Sequence, residues 1–105
     1  MPERVAFRMN LNPGQAAAYE KRHDEIFPEL VTALKAAGVS DDTIWLDRED
    51  HHLFGILTRS DTHTLDTLPD TEIMKRWWAC MCDIMQSGPD TAPVQVPLKR
   101  VFFLP

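Results

Sequence analysis

Tyr19 and His23 stand four residues apart in a segment of helical spacing, so they share a face and lie within contact distance. An imidazole exchanges a proton near neutral pH, and a phenol donates or holds a hydrogen bond. Acid–base chemistry on a hydroxylated substrate needs both. The competing interpretation is a half-buried core pair with satisfied polar tips. Trp77-Trp78 is the second candidate. Adjacent helical residues differ by about 100° around the axis, so one indole can enter the core while the other looks sideways into a groove. Flat indole faces suit the C–H-rich faces of pyranose sugars, and the indole N–H can bind a hydroxyl. Plain core packing by two large residues competes here too. His51-His52, beside Glu49 and Asp50, invites a metal reading, but neighbouring side chains in a turn diverge and no further ligand pair has metal-site spacing, so the stretch reads as a solvated turn. Asp24-Glu25 are adjacent and face apart, unlike a glycosidase dyad. The chain has no Gly-x-Gly-x-x-Gly loop, Walker motif or Gly-x-Ser-x-Gly elbow, which leaves nucleotide-dependent and serine-hydrolase chemistry without a foothold.

The elements that must position these residues can be read from periodicity. Val5, Phe7, Met9 and Leu11 alternate with Arg4, Ala6, Arg8 and Asn10, the pattern of a half-buried strand. Asn12-Pro13-Gly14-Gln15 supplies an N-cap, a first-position proline and a third-position glutamine, which predicts a helix from Pro13. Its apolar spacing runs through Ala16, Tyr19, His23, Ile26 or Phe27, Leu30 and Leu34 to a stop at Gly38. Pro28 interrupts it and predicts a kink, or two helices abutting near Phe27. Thr43–Asp47 and Leu53–Thr58, separated by the polar run 48–52, predict a hairpin of two strands. A loop or short helix should cover 61–68. Thr71 to Met85 reads as a helix with two adjacent apolar stripes, Met74, Trp78, Met81, Met85 and Ile73, Trp77, Cys80, Ile84. After a loop over 86–93, Pro97 restricts the first part of the tail to an edge, and Val101-Phe102-Phe103 reads as the final strand.

The order β-α-β-β-α-β within 105 residues predicts one α+β domain, 1–105, of ferredoxin-like sandwich type, with two helices on one face of a four-stranded antiparallel sheet. A chain of this length buries roughly 65% of its extended surface, enough for one modest core. The other sheet face then needs a cover, and a second copy of the chain, making a homodimer and a two-sheet barrel, is the simplest one. Hydrophobic residues at 44% and charged residues at 26% exclude disorder and rod-like repeats. Eleven Lys and Arg against sixteen Asp and Glu leave a net charge of −5 with no basic stripe. Nucleic acid and anionic membrane surfaces, which need clustered cations, are therefore not expected partners. No long apolar run suggests a signal peptide or membrane span. Cys80 and Cys82, two apart on a helix, point about 200° away from each other and cannot pair, which fits reduced thiols and a cytoplasmic location.

Asn12-Pro13, Tyr19-x-x-Arg22-His23-x-x-Ile26-x-Pro28-Glu29-Leu30, Leu46-Asp47, Trp77-Trp78-x-x-Met81-x-Asp83-Ile84-Met85, Pro89-Asp90-x-x-Pro93-Val94 and Leu104-Pro105 together resemble the L-rhamnose mutarotase family over essentially the whole chain. The resemblance implies a dimeric α/β barrel of ferredoxin-like subunits that interconverts the α and β anomers of L-rhamnose without a cofactor, in cytoplasmic rhamnose catabolism. It places His23 at the family's proton donor, Tyr19 at a sugar-binding tyrosine, and Trp77 and Trp78 at the tryptophan pair lining the sugar site. Where the family commonly has a further sugar-contacting tyrosine, this sequence has Asp42 beside Asp41, so that role does not transfer and sugar preference is open at this position. Phe27, where tryptophan is common, keeps the aromatic bulk and loses the N–H.

Anomer exchange requires opening the cyclic hemiacetal: the ring oxygen is protonated while a base removes the anomeric hydroxyl proton, the aldehyde rotates, and the ring recloses. Positioned acid–base groups contribute on the order of 10²- to 10⁴-fold to such a step. His23 would supply the proton and Tyr19 would position or relay it, while Trp77 and Trp78 hold the ring; sequence alone names no base. Two other classes stay open on residues alone. One is a non-catalytic binding or assembly module, since fold never licenses activity. The other is a monooxygenase on the same barrel, either cofactor-free or haem-dependent, the latter recognisable by a visible absorption band.

Overall fold

Alternating apolar residues make the first strand, β1 (Glu3–Asn10), in a computed structural model that describes all residues from Met1 to Pro105. It is followed by α1 (Ala16–Asp24), α2 (Pro28–Ala36), β2 (Val39–Asp47), β3 (His52–Arg59), a short 3-10 turn (Leu68–Asp70), α3 (Glu72–Met81) and β4 (Val96–Leu98). The four strands form one antiparallel sheet in the order β2-β3-β1-β4. The fold is thus a small α+β domain.

Period-two alternation divides the sheet into two faces. Met9 pairs with Leu53, Phe7 with Gly55 and Val5 with Leu57. Met9, Phe7 and Leu53 pack with Leu11, Tyr19, Leu30, Trp77, Met81, Ile84 and Met85 into one core between the sheet and the helices. Gly55 is required there, because the Phe7 ring occupies the space a Cβ would enter. The opposite face carries Ala6, Arg8, Trp45, Phe54, Ile56, Val96 and Leu98, and no helix covers it. Trp45 is 64% exposed on that side.

Four boundaries differ from the sequence expectation. The helix expected from Pro13 begins at Ala16. Gly14 adopts φ +81°, a left-handed geometry incompatible with a helical turn, and the Asn12 side chain donates to the Asp83 carbonyl at 3.3 Å instead of capping. At Pro28 the second of the two expected outcomes is found and is no difference: two helices abut there, with Phe27 held extended at ψ 125°, as a residue before proline must be. The third helix stops at Met81, not Met85. Beyond it the backbone bonds to the end of β1, with Asn12 N–H donating to the Ile84 carbonyl at 2.9 Å and Gln86 N–H to the Asn10 carbonyl at 3.0 Å. Ile84 and Met85 stay buried without being helical.

The final strand is also misplaced by sequence. It is Val96–Leu98, with Pro97 opposite Phe7 on the outer strand of the sheet, where a missing N–H is tolerated. Val101–Phe103, the expected strand, pairs with nothing and is exposed. The place beside β1 is already taken by β4.

The fourth difference lies in β2, which begins at Val39 and contains a bulge. Ser40 pairs with Thr58 but Thr43 pairs with Ile56, so Asp41 and Asp42 together oppose Leu57. Asp41 takes φ +50°, a left-handed conformation that aspartate tolerates better than most residues. An extra residue reverses the in-out parity of everything after it. Val39 faces the helices, and Asp42, Ile44 and Leu46 then face the same way; without the bulge that side would receive Asp41 and Thr43.

Candidate active site

α1 places Tyr19 in its middle and His23 in its last turn, both packed with Trp77 of α3. Their ring centroids are 4.3 Å apart. His23 meets Trp77 edge to face at 5.2 Å and 89°, and Phe27 meets the same indole at 5.4 Å and 84°. Trp77 is buried in the core while its neighbour Trp78 is half-buried, the division that a 100° offset predicts.

Arg22 fixes how the two helices dock. Its guanidinium donates to both carboxylate oxygens of Asp83, at 2.6 and 3.2 Å, and to the Cys80 carbonyl at 2.6 Å. It therefore ties the last turn of α1 to the end of α3 one residue from His23. The Arg22 hydrogen bonds hold the Asp83 carboxyl below the usual aspartate range. A depressed carboxyl contributes stability above its unfolded pKa, and that contribution is lost as pH falls through the folded value. Asp83→Asn should therefore be less stable than the parent at neutral pH, with the difference closing below about pH 4, near the ordinary aspartate pKa. Urea unfolding at a series of pH values checks this; a gap that persists unchanged in acid would contradict it.

His23 Nδ1 lies 3.0 Å from the Tyr19 carbonyl oxygen. A carbonyl only accepts, so Nδ1 carries a proton and Nε2 is the atom left to exchange one. Burial and the nearby Asp42 carboxylate push the Tyr19 phenol well above its usual range. Tyr19 is thus a fixed hydrogen-bond donor or acceptor and not a base.

Tyr19, His23, Trp77 and Trp78, the four residues singled out by sequence, line one cavity of about 380 Å³. That lies within the range of roughly 300–1,000 Å³ usual for small-molecule sites. Apolar side chains of the sheet, Val5, Phe7 and Met9, form its floor. A larger groove of about 780 Å³ adjoins it, and the two share Tyr19, His23 and Asp42. Sequence reasoning gave Asp42 no role, yet the bulge brings it to this cavity. The signal was available: Val39 and then Ile44 and Leu46 are apolar at positions of opposite parity, which a regular strand cannot reconcile.

His51 and His52 do not join the site. His51 occupies a turn at φ +59°, and His52 stacks edge-on against Phe54 at 6.2 Å on the uncovered sheet face. No group of three or more His, Cys, Asp or Glu side chains is placed to hold a metal ion.

The model of a family described as L-rhamnose mutarotase matches residues 4–104. The chain belongs to the L-rhamnose mutarotase family. Among relatives of that name, the Rhizobium meliloti protein is 58% identical over 102 residues, covering 97% of this chain and 98% of the relative. The Acidiphilium cryptum protein is 56% identical over 103 residues, covering 98% and 99%. A crystal structure of an L-rhamnose mutarotase from Formosa agariphila superposes with a TM-score of 0.90 at 46% identity, covering 98% of this chain and 99% of that one. With family members on both sides of the comparison, sequence and fold agree over the full length.

Proposed function

We propose that the chain interconverts the α and β anomers of L-rhamnose by acid–base ring opening and closure. His23 gives the ring oxygen its proton from Nε2, Tyr19 holds a sugar hydroxyl, and Trp77 and Trp78 line the ring's apolar face. Family membership carries the reaction class. The observation that carries the residue roles is the convergence of these four side chains on one cavity, with His23 turned so that its exchanging nitrogen is the one not tied to backbone. A neutral sugar is also a ligand for which a net charge of −5 is no obstacle. Magnetisation transfer between the anomeric proton signals of L-rhamnose tests the reaction. Exchange well above the buffer rate on adding protein is expected; unchanged exchange would overturn the assignment, and sugar binding without exchange would make the chain a binding module.

The strand order β2-β3-β1-β4 with helices on one face supports a ferredoxin-like sandwich, and the uncovered face supports pairing with a second copy into a two-sheet barrel. Trp45, Leu98 and the exposed tail residues Phe102 and Phe103 are apolar surface that a lone chain would leave in water. Sedimentation should give twice the chain mass of 12.0 kDa. A persistent monomer at micromolar concentration would contradict the barrel. No helix is long and apolar enough to cross a membrane. We place the protein in the cytoplasm, a reading supported by two unpaired cysteines, Cys80 and Cys82.

A further inference from the structure

We propose that Asp42 is the catalytic base of the anomer exchange, taking the anomeric hydroxyl proton while His23 protonates the ring oxygen. The inference rests on the reaction proposed above and supplies the partner His23 needs. Three observations support it. The β2 bulge turns Asp42 onto the helix-facing side of the sheet, against the parity of the residues before it. Bulges recur beside active sites because they re-aim one side chain at the cost of local pairing. Asp42 then lines the same cavity as Tyr19, His23, Trp77 and Trp78, and it is the only carboxylate that does so.

The third observation comes from elimination among proton carriers. The titratable groups lining this cavity are Tyr19, His23 and Asp42. Tyr19 keeps its proton throughout the ordinary pH range. His23 and Asp42 remain, one a cation when protonated and the other an anion when not, so one donates while the other accepts. Asp42 lines the cavity with much of its surface exposed, yet partial burial of its carboxyl raises its pKa, against the opposing pull of His23. A carboxylate more basic than usual is a better proton acceptor near neutral pH. The other charged groups facing it across the adjoining groove are Glu20 and Asp24 of α1, Lys35 of α2, Asp41 of its own strand and Arg48 beyond β2.

The protons balance without any co-reactant. The His23 Nε2–H proton passes to the ring oxygen as the bond from the anomeric carbon to that oxygen breaks. The electron pair of the anomeric O–H becomes the second bond of the aldehyde as Asp42 takes that proton. After rotation about the bond to the neighbouring carbon, the ring hydroxyl attacks the other face of the aldehyde, returning its proton to His23 while Asp42 gives its proton to the carbonyl oxygen. Both side chains finish as they began.

Asp42→Asn, which keeps shape and removes basicity, should fold as the parent does and lower kcat for L-rhamnose anomer exchange on the order of 10²-fold with little change in KM. Asp42→Glu should recover part of the loss. The acid limb of the kcat profile, set by protonation of Asp42, should vanish in Asp42→Asn, which a purely structural role would not cause. Unchanged kcat in Asp42→Asn, or a raised KM at unchanged kcat, would overturn the base role. Absence of exchange by the unmodified protein would instead overturn the reaction itself, so the two failures are distinguishable.

Discussion

His23→Ala should slow protein-dependent exchange of the L-rhamnose anomers by about 10²- to 10⁴-fold, toward the rate in buffer. The substitution removes the one imidazole that lines the tryptophan cavity, and Tyr19 cannot replace it because its phenol holds its proton. Structure should survive, since His23 is only half-buried at the C-terminal turn of α1 and the Arg22–Asp83 tie beside it is untouched. The stability cost should be limited to the aromatic contacts with Tyr19 and Trp77, worth about 1 kcal/mol each. His23→Gln sharpens the test. Glutamine can hydrogen-bond a sugar hydroxyl but cannot carry a proton, so it should keep affinity and lose kcat. Magnetisation transfer measures the rate and thermal unfolding confirms the fold; full activity in either variant would remove His23 from the reaction.

Trp77→Ala should produce the largest loss of stability among the site residues, about 3–5 kcal/mol. Trp77 is 8% exposed and packs in the core cluster with Leu30, Leu53 and Met81, while Phe27 and His23 lean on its ring edge to face. A domain of this size has about 5–15 kcal/mol in total, so the loss is a large fraction of it. At roughly 4 °C or more per kcal/mol, Tm should fall by more than 10 °C. Trp78→Ala separates packing from binding. Its indole is half-buried, so its truncation should cost less stability and appear mainly as a raised KM. Thermal unfolding of the two variants side by side checks the assignment; a Trp77→Ala protein as stable as the parent would show that the indole is not a core residue.

The difference between the tryptophans shows what a sequence can convey. Their adjacency implies that one turns inward and one sideways, because the helix rotates by a fixed angle per residue. Which one turns inward depends on where α3 meets α1, and Arg22 decides that by gripping Asp83 and the Cys80 carbonyl across 61 and 58 residues of chain. No local pattern announces such a tie. The tail illustrates the same limit: Val101–Phe103 has stronger strand character than Val96-Pro97-Leu98, yet the latter pairs with β1. Pairing is a matter of which partner is free, and propensity is silent on that.

The helix start at Pro13 failed for a different reason. Asn12-Pro13-Gly14-Gln15 has the residue types of a helix start, but Gly14 uses its freedom to adopt a left-handed turn, and Asn12 spends its side chain on Asp83. A long-range hydrogen bond competed with the local cap.

By itself the sequence determined what one turn of helix or one pleat of strand can enforce: Tyr19 and His23 on one face, the alternation of β1, the break at Pro28, and the acidic balance that suits an uncharged ligand. Tertiary structure alone decided how those pieces meet. It set α1 against α3 so that His23 faces Trp77, chose β4 as the strand beside β1, and inserted one residue into β2 so that Asp42 enters the cavity. The physical reason is range. Rotation per residue is local and legible in a list of side chains, whereas the register between strands is fixed only when distant segments find each other.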